Sequence, residues 1–280
     1  MVSVGVHVSI AGSIDRAVSR ATERGCDTFQ IFSRNPRGWR YKPLIHESSS
    51  AFTRAMAASG IGPAVVHMPY LPNFASEKDI IYSQSVESLS VELSRCADLH
   101  VPFLVTHLGH HGPSGKEDGR RRVADAINIA LEDAPAGVFL LLENTAGEKN
   151  SVGSDLADIG DIIGRIHDQK RIKVCFDTCH AFAAGYDLRT PEAVGETFDR
   201  FDSEIGFDLL PLIHLNDTKG RLGSGLDRHE HIGLGQIGEE GIRSILHHPR
   251  LRNLPFIMET PEDDTRDDIG NIARVRQLAA

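Results

Sequence analysis

Short apolar runs recur along the chain, each closed by a polar residue and followed by a stretch of helical spacing. The runs are Val4–Val8, Thr28–Phe32, Ala64–Val66, Phe103–Thr106, Val138–Leu142, Ile172–Phe176, Leu209–Ile213 and Pro255–Met258. They are continuous or nearly so, as parallel strands buried on both faces require. Two intervening segments carry a clear helical stripe. In Ser85–Leu99, Val86, Leu89, Val91, Leu93, Cys96 and Ala97 fall roughly on one face, and in Asp155–Ile166, Leu156, Ile159, Ile162, Ile163 and Ile166 do the same. The polar stretches His110–Arg122 and Asp217–Gly235 read as loops, because the alternation resumes after each. No linker interrupts the pattern. It predicts a single domain over residues 1–280, of the α/β class: a (β/α)8 TIM barrel.

The residues closing the runs are His7, Ser33, His67, His107, Glu143, Asp177, His214 and Glu259. They lie 26 to 45 residues apart, about the size of one βα unit. All but Ser33 can bind a metal. In such a barrel the chemistry sits at the C-terminal strand ends, so the pattern places a metal site at that face.

Four motifs extend the set. Phe176-Asp177-Thr178-Cys179-His180 puts a carboxylate and an imidazole three residues apart. His214-Leu215-Asn216-Asp217 ends the seventh run, with Asn216 and Asp217 read as turn formers. Asp227 and His229, two apart, project to one side of an extended segment. His231 continues that alternation and competes with His229. Glu259-Thr260-Pro261 ends the eighth run. Cys179 is a weaker ligand candidate, because the others offer only nitrogen and oxygen, and Cys175 is read as pointing into the barrel wall.

The inventory is five histidines (His67, His107, His180, His214, His229) and four carboxylates (Glu143, Asp177, Asp227, Glu259). That is too many for one or two four-coordinate ions. Three divalent ions with one shared carboxylate fit, and a nitrogen and oxygen donor set suits zinc or manganese. Paired ions ~3.5–4 Å apart clamp the oxygens of a phosphoryl displacement. Phosphodiester hydrolysis is therefore the predicted reaction class, with Glu143 and Glu259 as the catalytic carboxylates.

Composition changes this picture in two places. Hydrophobic residues are 40% and charged residues 25%, a soluble composition. No apolar run reaches the ~18 residues of a membrane span. The N-terminus enters a strand at once, so no secretory signal is expected, and four cysteines suit a reducing cytoplasm. The net charge of -9 taken alone argues against a nucleic-acid partner. Three divalent ions would bring it to about -3. Arg34, Arg37, Arg40 and Lys42, interleaved with Trp39 and Tyr41 and followed by Tyr70, suit phosphate contact and base stacking.

The chain resembles the endonuclease IV family of apurinic/apyrimidinic endonucleases along essentially its whole length. The resemblance rests on Gly5–Ser9 (GVHVS), Asn35–Trp39 (NPRGW), His67–Tyr70, and the DTCH, HLND, DRH and ETP motifs in that order. It implies three zinc ions, with manganese an option at one site. His67, His107 and Glu143 would hold the first. Glu143 would bridge to the second, completed by Asp177, His214 and Glu259. His180, Asp227 and His229 would hold the third. The family cleaves duplex DNA 5′ to an abasic site, leaving a 3′-hydroxyl, and clears blocked 3′ ends. Arg37, Tyr70 and Leu71 match the residues inserted where the base is missing. His7 is given no ligand role. Thr218 stands where serine is common and Lys173 where glycine is common; neither is a metal position. A monomer, located in the cytoplasm, is expected. Two alternatives remain: a sugar isomerase or epimerase on a similar barrel, using one or two metals, and a non-catalytic binder of damaged DNA.

Overall fold

The apolar runs become strands because their side chains are enclosed on both sides. A computed structural model describes residues 2–280. Its strands are β1 (Ser3–Val6), β2 (Phe29–Phe32), β3 (Ala64–His67), β4 (Phe103–Thr106), β5 (Phe139–Glu143), β6 (Ile172–Asp177), β7 (Leu212–His214), β8 (Asp217–Thr218), β9 (His229–Glu230) and β10 (Pro255–Met258). The parallel sheet runs β1-β10-β7-β6-β5-β4-β3-β2, while β8 and β9 form a small antiparallel pair of their own. The eight-stranded sheet closes on itself. His7 bridges Gln30 in parallel register, and the Val8 amide donates to the Gln30 carbonyl at 2.8 Å. Gly5 permits that seam: a β-carbon there would lie 1.7 Å from the Thr28 carbonyl oxygen. The fold is the expected (β/α)8 TIM barrel.

The helices are α1 (Arg16–Glu23), α2 (His46–Ser59), α3 (Asp79–Asp98), α4 (Lys116–Glu132), α5 (Leu156–Gly164), α6 (Thr178–Ala184), α7 (Pro191–Glu204), α8 (Gly238–His247) and α9 (Asp268–Leu278). Their buried faces, such as Leu156, Ile159, Ile162 and Ile163 of α5, join the outer strand faces in one large core. Each such side chain contributes about 1.5–3 kcal/mol on burial. Inside the barrel, Val65, Val105, Leu141, Cys175, Leu212 and Ile257 form a separate apolar layer. Among the described residues no helix is long and apolar enough to cross a membrane.

Four sequence readings need correction. Cys175 faces the barrel interior, beneath the strand-end residues, rather than its wall. The seventh strand starts at Leu212, because Phe207–Leu209 forms a turn of 3-10 helix and Pro211 has no N–H to offer a ladder. His110–Arg122 is only partly loop. Helix α4 begins at Lys116, and its acidic first turn, Glu117 and Asp118, looked like loop polarity. Helix α3 also begins earlier than the stripe in Ser85–Leu99, at Asp79.

Candidate metal centre

Four strand ends converge on Glu143. The Glu143 carboxylate ends β5 and is fully buried. Its Oε2 lies 3.0 Å from His67 Nε2, at the end of β3, and 3.0 Å from His107 Nε2, just past β4. Its Oε1 lies 3.0 Å from His214 Nδ1 and 3.4 Å from His180 Nδ1. One oxygen thus faces the His67–His107 side and the other the His214 side, as a shared carboxylate would.

The His214 side continues with Asp177 and Glu259. His214 Nδ1 lies 3.9 Å from Asp177 Oδ2 and 3.6 Å from Glu259 Oε2. Asp177 also caps α6, its Oδ1 accepting from the His180 amide at 2.8 Å. Asn216 holds this pair in place: its Nδ2 donates to Asp177 Oδ2 at 2.7 Å, and its Oδ1 accepts from the Glu259 amide at 2.7 Å. Asn144 accepts from the Asp177 amide and donates to its carbonyl. Glu143, Asp177, His214 and Glu259 form one potential ligand group, and His67, His107 and Glu143 another, with the donor atoms of each within 4.8 Å of one another.

A third group joins His180, in the first turn of α6, to Asp227 from the loop between β8 and β9 and to His229 at the start of β9. Asp227 Oδ1 is 3.4 Å from His180 Nε2 and 3.3 Å from His229 Nε2. Asp177, Cys179 and His229 are near enough to form a fourth group. His231 does not compete with His229. It is buried, with Nε2 3.0 Å from Asp263 Oδ1 and Nδ1 3.0 Å from the Asn271 amide nitrogen.

Asp217, in β8 opposite Glu230 of β9, gathers the segment that follows β9. Its carboxylate is fully buried and accepts from the amides of Thr218 (2.8 Å), Gly233 (3.1 Å), Gly235 (2.9 Å), Ile237 (3.0 Å) and Gly238 (3.2 Å). A β-carbon on Gly235 would lie 2.4 Å from Asp217 Oδ1, so only glycine approaches this closely. Asp217 is therefore a clamp rather than a turn former.

Three of the histidines, His67, His180 and His229, share one arrangement. Nδ1 meets a backbone carbonyl, and Nε2 faces a carboxylate. His67 Nδ1 lies 2.7 Å from the Met68 carbonyl, His180 Nδ1 3.0 Å from that of Asn144, and His229 Nδ1 3.0 Å from that of Glu259. Each carbonyl can only accept, so each Nδ1 carries the proton. In the neutral ring Nε2 then presents a lone pair. A lone pair aimed at a carboxylate oxygen is repulsive unless a cation lies between them. His229 Nε2 is buried with no hydrogen-bond partner at all.

Electrostatics show the same demand for positive charge. Burial opposes charge on Glu143, yet His107 and His214 outweigh it and hold the carboxyl well below its usual range. Burial likewise opposes charge on Glu259, but His214 and His67 bring it down to about 2. Burial works against protonation of His180, which Asp177, Asp227 and Glu143 nevertheless push well upward. His7 differs: burial lowers it to about 4, with Glu259 opposing.

A rim of exposed side chains stands beside this floor. Tyr70 and Leu71 follow β3 and are 65% and 39% exposed. With His107, Thr145, Glu148 and His180 they line a cavity of about 260 Å³ that opens onto the floor. The Tyr70 amide donates to the Pro36 carbonyl at 3.2 Å, tying the rim to the loop that carries exposed Arg37. Arg34 departs from expectation. It is buried, paired with Glu92 at 2.5 Å and bonded to Ser88, so it anchors that loop instead of meeting a ligand.

The sequence reading missed Gln30, Asn144 and Asn216 as polar contacts of the centre. Asn216 and Asp217 lay in plain view within HLND, but turn propensity masked their buried roles. Nothing in the apolar run Thr28–Phe32 marked Gln30.

Comparison with known proteins agrees with this fold and identifies a family. A family model described as xylose isomerase-like TIM barrel matches residues 18–277. Proteins called probable endonuclease 4 from Methanoculleus marisnigri and Methanosphaerula palustris are 61% and 60% identical to the chain. Each alignment covers 100% of this chain and 99% of the relative. The crystal structure of endonuclease IV from Thermus thermophilus superposes with a TM-score of 0.88 at 36% identity, covering 99% of this chain and 98% of that one. An Escherichia coli 3-keto-D-glucoside 4-epimerase, at 15% identity and TM-score 0.71, shares the fold alone. The full-length matches, together with the converging strand ends, place the chain in the endonuclease IV family.

Proposed function

We propose that the protein is a DNA-repair endonuclease that hydrolyses the phosphodiester 5′ to an abasic site in duplex DNA and leaves a 3′-hydroxyl. The observation that carries this reading is the set of histidines whose Nδ1 protons are held by backbone carbonyls while their Nε2 atoms face Glu143 and Asp227. That donor set fits divalent cations. His67, His107 and Glu143 would hold one zinc ion. Glu143, Asp177, His214 and Glu259 would hold a second, and His180, Asp227 and His229 a third. Manganese suits the nitrogen and oxygen donors of the third group equally well. When bound, such ions supply positive charge against phosphoryl oxygens and bring the pKa of a water down to about 7.

The chain's own residues supply the rest. Glu259, held ionised, is placed to accept a proton at the floor. Glu143 keeps its neighbouring imidazoles in register through both oxygens. Tyr70 and Leu71 offer a flat face and an apolar wedge beside the 260 Å³ cavity, where a duplex lacking one base has a gap. Arg37 meets the backbone. The same floor would accept the phosphodiester of a blocked 3′ end.

The test is incubation with a duplex carrying one abasic site, with and without chelator, followed by end-group analysis. A single cut leaving a 3′-hydroxyl, lost on chelation and restored by zinc, is expected. Chelator-resistant cutting, a 3′ unsaturated aldehyde, or no cutting by zinc-loaded protein would overturn the proposal.

A further inference from the structure

We propose that Gln30, on β2, is a positioning residue that fixes the ring tautomer of His214 and the free oxygen of Glu259 with one amide group. This rests on the reading of His214 and Glu259 as ligands of one ion. Gln30 is fully buried on the inner face of the strand that closes the barrel. Its Oε1 lies 2.9 Å from His214 Nε2. Its Nε2 lies 2.6 Å from Glu259 Oε1 and 3.1 Å from His7 Nδ1.

The chemistry of these partners leaves one assignment. An ionised carboxylate only accepts, so the group facing Glu259 is the amide NH₂. Turning the amide over would set its oxygen against Glu259 Oε1, two acceptors at 2.6 Å. With NH₂ toward Glu259, the amide oxygen faces His214 Nε2, which must carry the proton. His214 Nδ1 is then the lone-pair nitrogen, and it is the one that faces Glu143 Oε1 at 3.0 Å and Glu259 Oε2 at 3.6 Å. The second amide hydrogen is taken by His7 Nδ1. Every polar atom of Gln30 is thereby used.

His67, His180 and His229 have backbone carbonyls as their Nδ1 acceptors, which the fold supplies. His214 has a side chain instead. Its orientation can therefore be removed by a single substitution without disturbing the backbone. His7 also gains a role: its neutral Nδ1 holds the amide from behind.

The experiment uses zinc-loaded full-length protein and reads the His214 ring directly by ¹⁵N–¹H NMR, alongside zinc affinity by chelator competition. Wild type is expected to show a slowly exchanging His214 Nε2 proton. Gln30→Met, close in length and apolar, is expected to speed that exchange and weaken one zinc ion by about 10–100-fold, the usual cost of removing a group that orients a ligand. Gln30→Glu keeps the acceptor for His214 but sets a second carboxylate against Glu259, so the ring proton should persist while the same ion weakens. A wild-type His214 protonated on Nδ1 overturns the proposal without any variant, whether or not the variants fold. So does a folded Gln30→Met with unchanged exchange and zinc affinity. Failure of zinc-loaded wild type to cut abasic duplex would overturn the nuclease reading alone, because ring proton and zinc affinity still report on Gln30.

Discussion

The strand-end floor and the loop-borne third group offer the same donors but are held by different means. Glu143, Asp177 and His214 are fully buried at the ends of paired strands, with Asp177 opposite His214 in the β6–β7 ladder. Displacing one of them means breaking barrel hydrogen bonds. Asp227 sits on the loop before β9, its side chain 36% exposed, and His229 opens β9, a two-residue strand outside the barrel sheet. Their place depends on the two-residue β8–β9 pair and on the amides that Asp217 gathers beside it, rather than on the barrel ladder. Strand ends are preorganised by the fold itself, whereas the loop group is conditional on that short pair and one buried carboxylate. Substitutions in the floor should therefore remove chemistry outright, and those in the clamp should cost a single ion.

The largest effect is expected from Glu143→Ala. Its two oxygens face separate groups of imidazoles, so truncation removes a donor from both. Activity should fall by at least about 10³-fold, the upper range for loss of one group that stabilises developing charge. Elemental analysis should show two fewer ions per chain. Loss of only one ion would mean that the floor is not a shared unit. Glu259→Gln keeps the size and removes the charge. The rate constant kcat should drop by at least about 10²-fold with ion content maintained, the lower range for losing a general base. A retained rate with retained ions would reduce Glu259 to a structural ligand.

The same contrast explains what the sequence revealed. A parallel strand buried on both faces is a short apolar run, and a polar residue closing it stands out, so His67, Glu143, Asp177, His214 and Glu259 were visible one by one. The loop pair was visible only through alternation, which could not separate His229 from His231. What separates them is Asp263 and Asn271, more than thirty residues further on. Gln30 was hidden because a polar residue inside an apolar run has no period of its own; its partners come from β7 and from the ends of β1 and β10. Arg34 looked like surface charge because Glu92, its buried counter-ion, lies within α3.

Asp217→Asn tests the clamp. Asparagine preserves the shape, but its NH₂ would face amides that also donate. Affinity for one of the three proposed ions should fall about 10–100-fold, with the other two unchanged in chelator competition. Amide exchange at Gly233, Gly235 and Ile237 should accelerate together. Equal weakening of all three ions would show that floor and loop are one cooperative unit, and the distinction drawn between them would fail.

The smallest effect belongs to the rim, which is exposed where the floor is buried. Tyr70 keeps 65% of its surface open and leans on Phe32, with ring centroids 5.1 Å apart. It is not a member of any of the three ligand groups, so ion content should not change on its removal. Unstacking a duplex at a missing base costs less than at an intact step, and a side chain that fills the gap recovers part of that cost. Stacking on an aromatic face is worth about 1–3 kcal/mol per base. Tyr70→Ala should therefore weaken binding to abasic duplex roughly tenfold, about 1.4 kcal/mol. Undamaged duplex, which has no gap, should lose much less. Titrations of both duplexes against wild type and variant decide the point. An equal loss on both would make Tyr70 a general backbone contact and leave discrimination of the lesion to the floor.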